Sequence, residues 1–85
     1  MRFTRTEAFK RDFRGLDGDS RGRVEAALLK MAENPRHPSL RTRKMEGRPD
    51  IWEARASRTH GITFHWEGED IILRRVGTHD VLRRP

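Results

Sequence analysis

The spacing of apolar residues changes once along this 85-residue chain, and that change constrains the fold more than any other feature. Before Pro35 the apolar residues recur at the i, i+3, i+4, i+7 spacing of a helix face, as in Val24, Ala27, Leu28 and Met31. After Pro38 they alternate with polar residues, which is typical of half-buried strands. The sequence therefore predicts helices followed by a sheet, in a single domain spanning residues 1–85.

Two helices are predicted in the first part of the chain. The segment that begins at Thr4 fits a capping box with Thr4 as the N-cap, and Gly15 and Gly18 end the helix that follows. Ser20 is the predicted cap of the second helix, which ends before Pro35. Because the connection between the helices is short, we expect them to form an antiparallel hairpin.

The second part of the chain predicts a sheet. A short strand at residues 43–45 is followed by three strands at residues 51–57, 60–66 and 71–76, joined by short turns as in an antiparallel meander. The expected fold is two-layer α+β, with the N-terminal antiparallel helical hairpin packed on one face of a twisted, mainly antiparallel β-sheet. The opposite sheet face is expected to be open and polar.

Basic residues dominate the charge of the chain. The formal net charge is +6, and 16 of the 19 basic residues are arginines, because only Lys10, Lys30 and Lys44 are lysines. They cluster, with five in residues 35–48 and four in residues 71–85. Arginine grips phosphate through a planar fork of donors, so the excess indicates a nucleic acid or an acidic protein as the partner. A G+C-rich genome would also raise the arginine content, but it explains the clustering less well.

The alternation of the strands brings several chemically useful residues to the open face. They are Glu53, Arg55, Thr63, His65 and Arg74, with His79 and the basic loop at the border. Arginine can hold a phosphate and stabilise developing charge, and histidine exchanges protons near neutral pH. RNA is the favoured substrate since its own 2′-OH can act as the nucleophile. The alternative is that these arginines are solvated or paired on the surface.

Composition also excludes several classes of protein. The absence of cysteine removes disulfides and thiolate chemistry, and no apolar run exceeds four residues, so no membrane span is expected. The N-terminus lacks the apolar stretch of a secretory signal, which favours a cytoplasmic protein. His60 and His65 are expected on opposite faces of one strand, so we predict neither a metal site nor a cofactor.

Five stretches follow one another in a recognisable order. They are Glu33–Leu40, Lys44–Gly47, Ile51–Ser57, Ile62–Phe64 and Leu73–Leu82, and the last contains Val-Gly-Thr-His-Asp. Together with the preceding helix pair they cover nearly the whole chain. In this order they resemble the RelE/ParE superfamily of bacterial toxin–antitoxin toxins, most closely its RelE-like and YafQ-like members.

This resemblance implies a function. The chain would be the toxin of a type II toxin–antitoxin system, a metal-independent endoribonuclease that cleaves mRNA, commonly in the ribosomal A site. In that reaction the 2′-OH attacks the adjacent phosphate and leaves a 2′,3′-cyclic phosphate. The implied partners are a cognate antitoxin protein, mRNA and the ribosome.

The resemblance also implies roles for particular residues. His79 stands where many members carry an imidazole acid or base, and Arg74 or Arg75 matches the arginine that contacts the phosphate. The expected catalytic residues are therefore His79, Arg74 and Arg55. The expected RNA contacts are Lys44, Arg43, Arg41, Arg75, His65 and Arg83.

One position departs from the pattern of the superfamily. Relatives commonly carry Arg where this chain has Gly61, and the loss of one phosphate donor costs about 2–4 kcal/mol by analogy with oxyanion donors. Either the chain is an attenuated toxin, or a neighbour such as Arg55 or Arg74 replaces the missing donor. Two other functions stay open: a ParE-like inhibitor of DNA gyrase, and a non-catalytic binding module. ParE-like members generally lack the terminal histidine, so His79 favours the nuclease.

Overall fold

One five-stranded mixed sheet and three α-helices make up the protein, in a computed structural model that describes residues 1–85. The elements in chain order are β1 (Phe3–Arg5), α1 (Glu7–Arg14), α2 (Gly18–Glu33), a 3₁₀ turn (Pro38–Leu40), β2 (Arg43–Lys44), β3 (Trp52–Arg55), β4 (Gly61–Glu67), β5 (Asp70–Gly77) and α3 (His79–Leu82). The strand order in the sheet is β1-β5-β4-β3-β2.

The antiparallel meander predicted for β3, β4 and β5 is confirmed by the strand pairing. The first strand, β1, is a correction to the prediction, because it precedes the helices and pairs parallel to β5, with Phe3 opposite Ile71. The chain therefore begins with a strand and not with the expected helical hairpin. A run of three residues is too short for alternation to reveal it.

The caps of both helices lie a few residues from the predicted positions. Thr4 belongs to β1, so the cap predicted there is wrong; Thr6 caps α1, and its Oγ1 accepts a hydrogen bond from Phe9 N at 3.1 Å. Asp17 caps α2 in place of Ser20, and its carboxylate accepts from Ser20 N at 2.7 Å. This hydrogen bond from the Ser20 backbone lowers the pKa of Asp17.

The core lies between the helices and one face of the sheet. Most of its buried side chains belong to the predicted apolar pattern. The buried residues of the core are Phe9, Val24, Ala27, Met31, Leu40, Ala54, Ile62, Phe64, Ile71, Leu73 and Val76. Helix α2 ends at Glu33, before Pro35 as predicted, and Asn34 is its C-cap. No helix of the protein is both long enough and apolar enough to cross a bilayer.

The other sheet face is partly covered, which the sequence did not predict. Helix α3 folds back after β5, and Leu82 is only 9% exposed. Gly61 and Gly77 pair across β4 and β5. A Cβ at Gly61 would lie 2.9 Å from Leu82 Cδ1, and one at Gly77 would lie 2.8 Å from Val81 Cγ2. Because these two residues have no side chain, α3 packs directly on the backbone of β4 and β5.

Two side chains assigned to the open face are also buried. Glu53 is 6% exposed and Thr63 is fully buried. Alternation along β3 and β4 placed both on the correct side of the sheet, but it carries no information about a four-residue helix that covers that side.

Candidate functional site

A basic cavity of about 670 Å³ lies between the β2–β3 region, the start of β4 and the C-terminal segment. Its cationic and imidazole side chains come from Arg43, Arg48, Arg55, Arg58, Arg83, His60 and His79. Glu46 and Glu53 are the carboxylates that line it. The excess of guanidinium groups over carboxylates makes the cavity attractive to a phosphate.

Helix α3 places His79 at this cavity. His79 is the first residue of α3, it is exposed, and its ring makes no hydrogen bond within the protein. The contact of Leu82 with the sheet beside Gly61 anchors the helix that carries the ring. The imidazole therefore sits on a fixed element and keeps both nitrogens free for a ligand.

Several arginines of the basic cavity also lack a carboxylate partner within the protein. Arg48, Arg58 and Arg83 are exposed and have no side-chain hydrogen bond or ion pair within the protein. Arg55 is exposed as well, and its guanidinium donates to the Arg58 carbonyl at 3.2 Å. Groups held near the cavity without a carboxylate partner retain their capacity to bind phosphate oxygens.

Arg43 is the exception, because it pairs with a buried carboxylate. Its guanidinium donates to Glu53 Oε1 at 3.2 Å, and the Glu53 side chain is only 8% exposed. A buried carboxylate is costly without such a partner. Glu53 therefore fixes the guanidinium of Arg43 at the wall of the cavity.

His60 is a residue of the cavity that the sequence interpretation missed. Its alternation with Ile62 had placed it on the core side of the sheet, but β4 begins only at Gly61. His60 closes a tight turn in which its backbone N donates to Ser57 Oγ at 3.1 Å, and its Nδ1 lies 2.9 Å from Thr59 Oγ1. The polar run before it was the available signal for a turn.

Arg74 and His65, two predicted site residues, contact each other outside the basic cavity. Arg74 Nη1 lies 3.0 Å from His65 Nδ1, and Arg74 Nε donates to the backbone oxygen of Pro85 at 3.0 Å. His65 Nε2 is also 3.3 Å from Glu67 Oε1. Arg74 itself does not line the basic cavity: it holds the C-terminal segment, and Pro85 of that segment does line it.

Arg75 is committed to an ion pair at the edge of the sheet. Its Nε lies 2.6 Å from Asp12 Oδ2 and its Nη2 lies 3.1 Å from Asp12 Oδ1. The hydrogen bond to Asp12 raises the pKa of Arg75 above its ordinary value. Asp12 also accepts from Val76 N at 3.2 Å, so it joins α1 to β5 where β1 no longer covers the edge.

The other predicted RNA contacts divide between two regions. Arg43 and Arg83 line the basic cavity, whereas Lys44 and Arg41 do not. The Lys44 Nζ lies 5.6 Å from the centroid of the Trp52 ring, and Arg41 borders two smaller cavities. No group of three or more histidines and carboxylates is arranged to hold a metal ion.

Comparison with known proteins identifies the fold. No family model and no curated protein match the chain in sequence. The RelE–RelB toxin–antitoxin complex from Methanococcus jannaschii contains a chain with a TM-score of 0.75 and 20% identity, over 91% of each chain. The YoeB/ParE toxin from Agrobacterium tumefaciens gives a TM-score of 0.76 and 13% identity, over 93% of this chain and 99% of that one.

YafQ from Escherichia coli BL21(DE3) is similar as well, with a TM-score of 0.72 and 11% identity over 94% of this chain and 96% of that one. At these identities the likeness is one of fold. The protein has the RelE/ParE-like fold of toxins from toxin–antitoxin systems, an α+β architecture with a five-stranded mixed sheet and three helices.

Proposed function

We propose that the protein is the toxin of a type II toxin–antitoxin system and that it cleaves mRNA, bound in the ribosomal A site, at the basic cavity. The observation that supports this proposal is the meeting of an unbonded imidazole, His79, with several unpaired arginines on one cavity. The fold, which the protein shares with RelE, YoeB and YafQ, supports the same class of function.

The proposed reaction uses the nucleophile that RNA itself carries. The 2′-OH attacks the adjacent phosphorus, the bond from phosphorus to O5′ breaks, and the products end in a 2′,3′-cyclic phosphate and a 5′-OH. His79 donates a proton to the departing O5′, and His60 accepts the proton of the 2′-OH. Arg55 and its unpaired neighbours stabilise the charge that builds on the phosphate oxygens.

Gly61 fits this mechanism without an arginine at its position. Leu82 of α3 occupies the space in front of Gly61, so a large side chain there would displace the helix that carries His79. In this chain the arginines of the basic cavity supply the phosphate contacts. Under this proposal Gly61→Arg lowers cleavage; if the chain were merely attenuated by the missing arginine, the substitution would raise cleavage.

A cognate antitoxin is the proposed protein partner. One of the similar structures is an antitoxin–toxin complex, and the positive charge of this chain suits a partner with acidic segments. Co-expression with the product of the adjacent reading frame tests this partner: a stable complex that abolishes growth inhibition supports it, and unchanged growth inhibition contradicts it.

The test of the activity compares an mRNA with the same strand carrying 2′-deoxyribose at the cleaved position, each with and without ribosomes. Cleavage of the mRNA but not of the strand with 2′-deoxyribose, with a product that ends in a cyclic phosphate, supports the proposal. A supercoiling assay with DNA gyrase runs in parallel. Gyrase inhibition without cleavage would identify a ParE-like inhibitor, and neither effect would identify a binding module.

A further inference from the structure

Two smaller cavities continue from the basic cavity. The first, here called the linking recess, has a volume of about 400 Å³ and shares Arg55 and Arg58 with the basic cavity. The second, here called the tryptophan cleft, has a volume of about 260 Å³ and shares Arg41 with the linking recess. Because neighbouring cavities share arginines on their walls, the three follow one another along the surface, and this series is here called the path.

The path leads from one face of the sheet to the other. The basic cavity lies on the side of Glu53, and the tryptophan cleft lies on the side of Phe64 and Trp66. The 3₁₀ turn and the β3–β4 turn form the linking recess between them. A ligand that fills all three cavities therefore has to be long and flexible.

The tryptophan cleft combines an exposed aromatic ring with guanidinium groups. Trp66 is 39% exposed, and its ring packs edge-on against Phe64, with centroids 6.3 Å apart and planes at 77°. Arg36 and Arg41 border the same cleft, and no carboxylate lines either the cleft or the linking recess. Bases stack on aromatic rings and phosphates bind arginine, so this pairing is typical of single-stranded nucleic-acid sites.

Arg41 stands at the junction of the two smaller cavities in an unusual backbone conformation. Its φ of 46° and ψ of 44° are left-handed, and it is the one residue other than glycine with a positive φ. The buried Leu40 before it, and the hydrogen bond from Arg41 N to Pro38 O at 3.2 Å, hold this geometry. Such strained residues concentrate at ligand sites.

We propose that the linking recess and the tryptophan cleft bind the substrate strand away from the cleavage point, with a base stacked on Trp66 and backbone phosphates on Arg36 and Arg41. The inference rests on the proposed function, since it takes RNA as the substrate. The cleft volume of about 260 Å³ suits one planar base better than a larger ligand. The exposed Trp66 ring, on which a base can stack, favours RNA over an acidic peptide.

The first test measures binding of 2′-O-methyl RNA, which lacks the nucleophile and is not cleaved. Two probes are used, of about four and about twelve nucleotides, within the range of known single-strand sites. Trp66→Ala weakens binding of the long probe by about tenfold and leaves the short probe unchanged. Leu29→Ala, which removes another exposed apolar side chain, serves as the matched control and changes neither.

The second test measures how binding of the long probe depends on salt. Each phosphate contact to a single strand contributes about 0.7 to the slope of log affinity against log salt. Arg36→Gln and Arg41→Gln each lower the slope by about that amount. Arg14→Gln removes the same charge from an exposed arginine of α1 that borders none of these cavities, and it leaves the slope unchanged.

The outcomes separate this inference from the proposed function. If Trp66→Ala binds the long probe as wild type does, while His79→Ala still loses cleavage, strand binding at the tryptophan cleft is refuted and the proposed nuclease activity is retained. If no RNA is bound or cut, both fail. If Trp66→Ala weakens binding of poly-glutamate but not of RNA, the cleft receives an acidic protein and the inference is overturned.

Discussion

Arg75, at the edge of β5, and the arginines of the basic cavity differ in their partners. Arg75 is fixed by an ion pair, whereas several arginines of the cavity have none. At the edge, Asp12 occupies two nitrogens of Arg75 and ties α1 to the sheet. At the cavity, Arg48, Arg58 and Arg83 have no carboxylate partner. The difference shows that the nearest carboxylate, and not the local density of positive charge, decides whether an arginine stabilises the fold or stays free for a ligand.

The largest contrast is expected from two glutamine substitutions. Arg55→Gln removes a donor at the proposed site, so the single-turnover cleavage rate falls by about 10²- to 10³-fold, while the free energy of unfolding changes by less than about 0.5 kcal/mol. Arg75→Gln breaks the ion pair with Asp12, so it lowers the free energy of unfolding and leaves the cleavage rate of the folded protein unchanged. If folded Arg75→Gln lost as much cleavage as Arg55→Gln, the two arginines would not differ in role.

Asp12→Ala tests the structural side of the comparison. It leaves the half-buried Arg75 guanidinium unpaired and Val76 N without its acceptor, so we expect a loss of about 2–3 kcal/mol in the free energy of unfolding. Urea denaturation measures it. Asp19→Ala, which removes an exposed ion pair with Arg23, is the control and changes stability by less than about 0.5 kcal/mol.

Gly61→Ala tests whether the packing of α3 on the sheet requires a glycine at this position. The new methyl group meets Leu82 and the carbonyl of Ala54, so we expect a loss of about 1–2 kcal/mol, together with slower cleavage because His79 shifts. Gly22→Ala lies in the exposed interior of α2 with no atom near its Cβ position, and it should stabilise by about 0.5–1 kcal/mol. Equal effects at both positions would contradict the packing role of Gly61.

The smallest effect concerns the cap of α2. Because the pKa of Asp17 is lower in the folded protein than in the unfolded chain, its contribution is present above the unfolded value and is lost as the pH falls through the folded one. Asp17→Asn keeps a capping side chain without a titrating group. Thermal unfolding of both proteins against pH should show wild type losing its advantage only in acid; a constant difference would refute this.

The sequence was sufficient for those parts of the fold that repeat along the chain. Alternation identified β3, β4 and β5, and helical spacing identified the buried face of α2 at Val24 and Met31. Both patterns extend over enough residues to be recognised, and burial of the apolar face is their direct physical cause.

The remaining features depend on contacts between distant residues. Asp12 and Arg75 are 63 positions apart, and nothing local to either predicts that they meet. The same holds for Leu82 on Gly61, which buries Glu53, and for the shared arginines that join the basic cavity to Trp66. Charge clustering identified the basic segments, but only tertiary packing pairs Arg75 with Asp12 and leaves Arg83, at the basic cavity, without a carboxylate partner.

The cleavage rate of His79→Ala, measured on an mRNA under single-turnover conditions beside its RNA affinity and its unfolding curve, tests the proposed role of His79 as the general acid. We expect a rate lower by about 10²- to 10⁴-fold, the range for loss of a general acid, with affinity and stability retained. An unchanged rate of cleavage in a folded His79→Ala protein would contradict it.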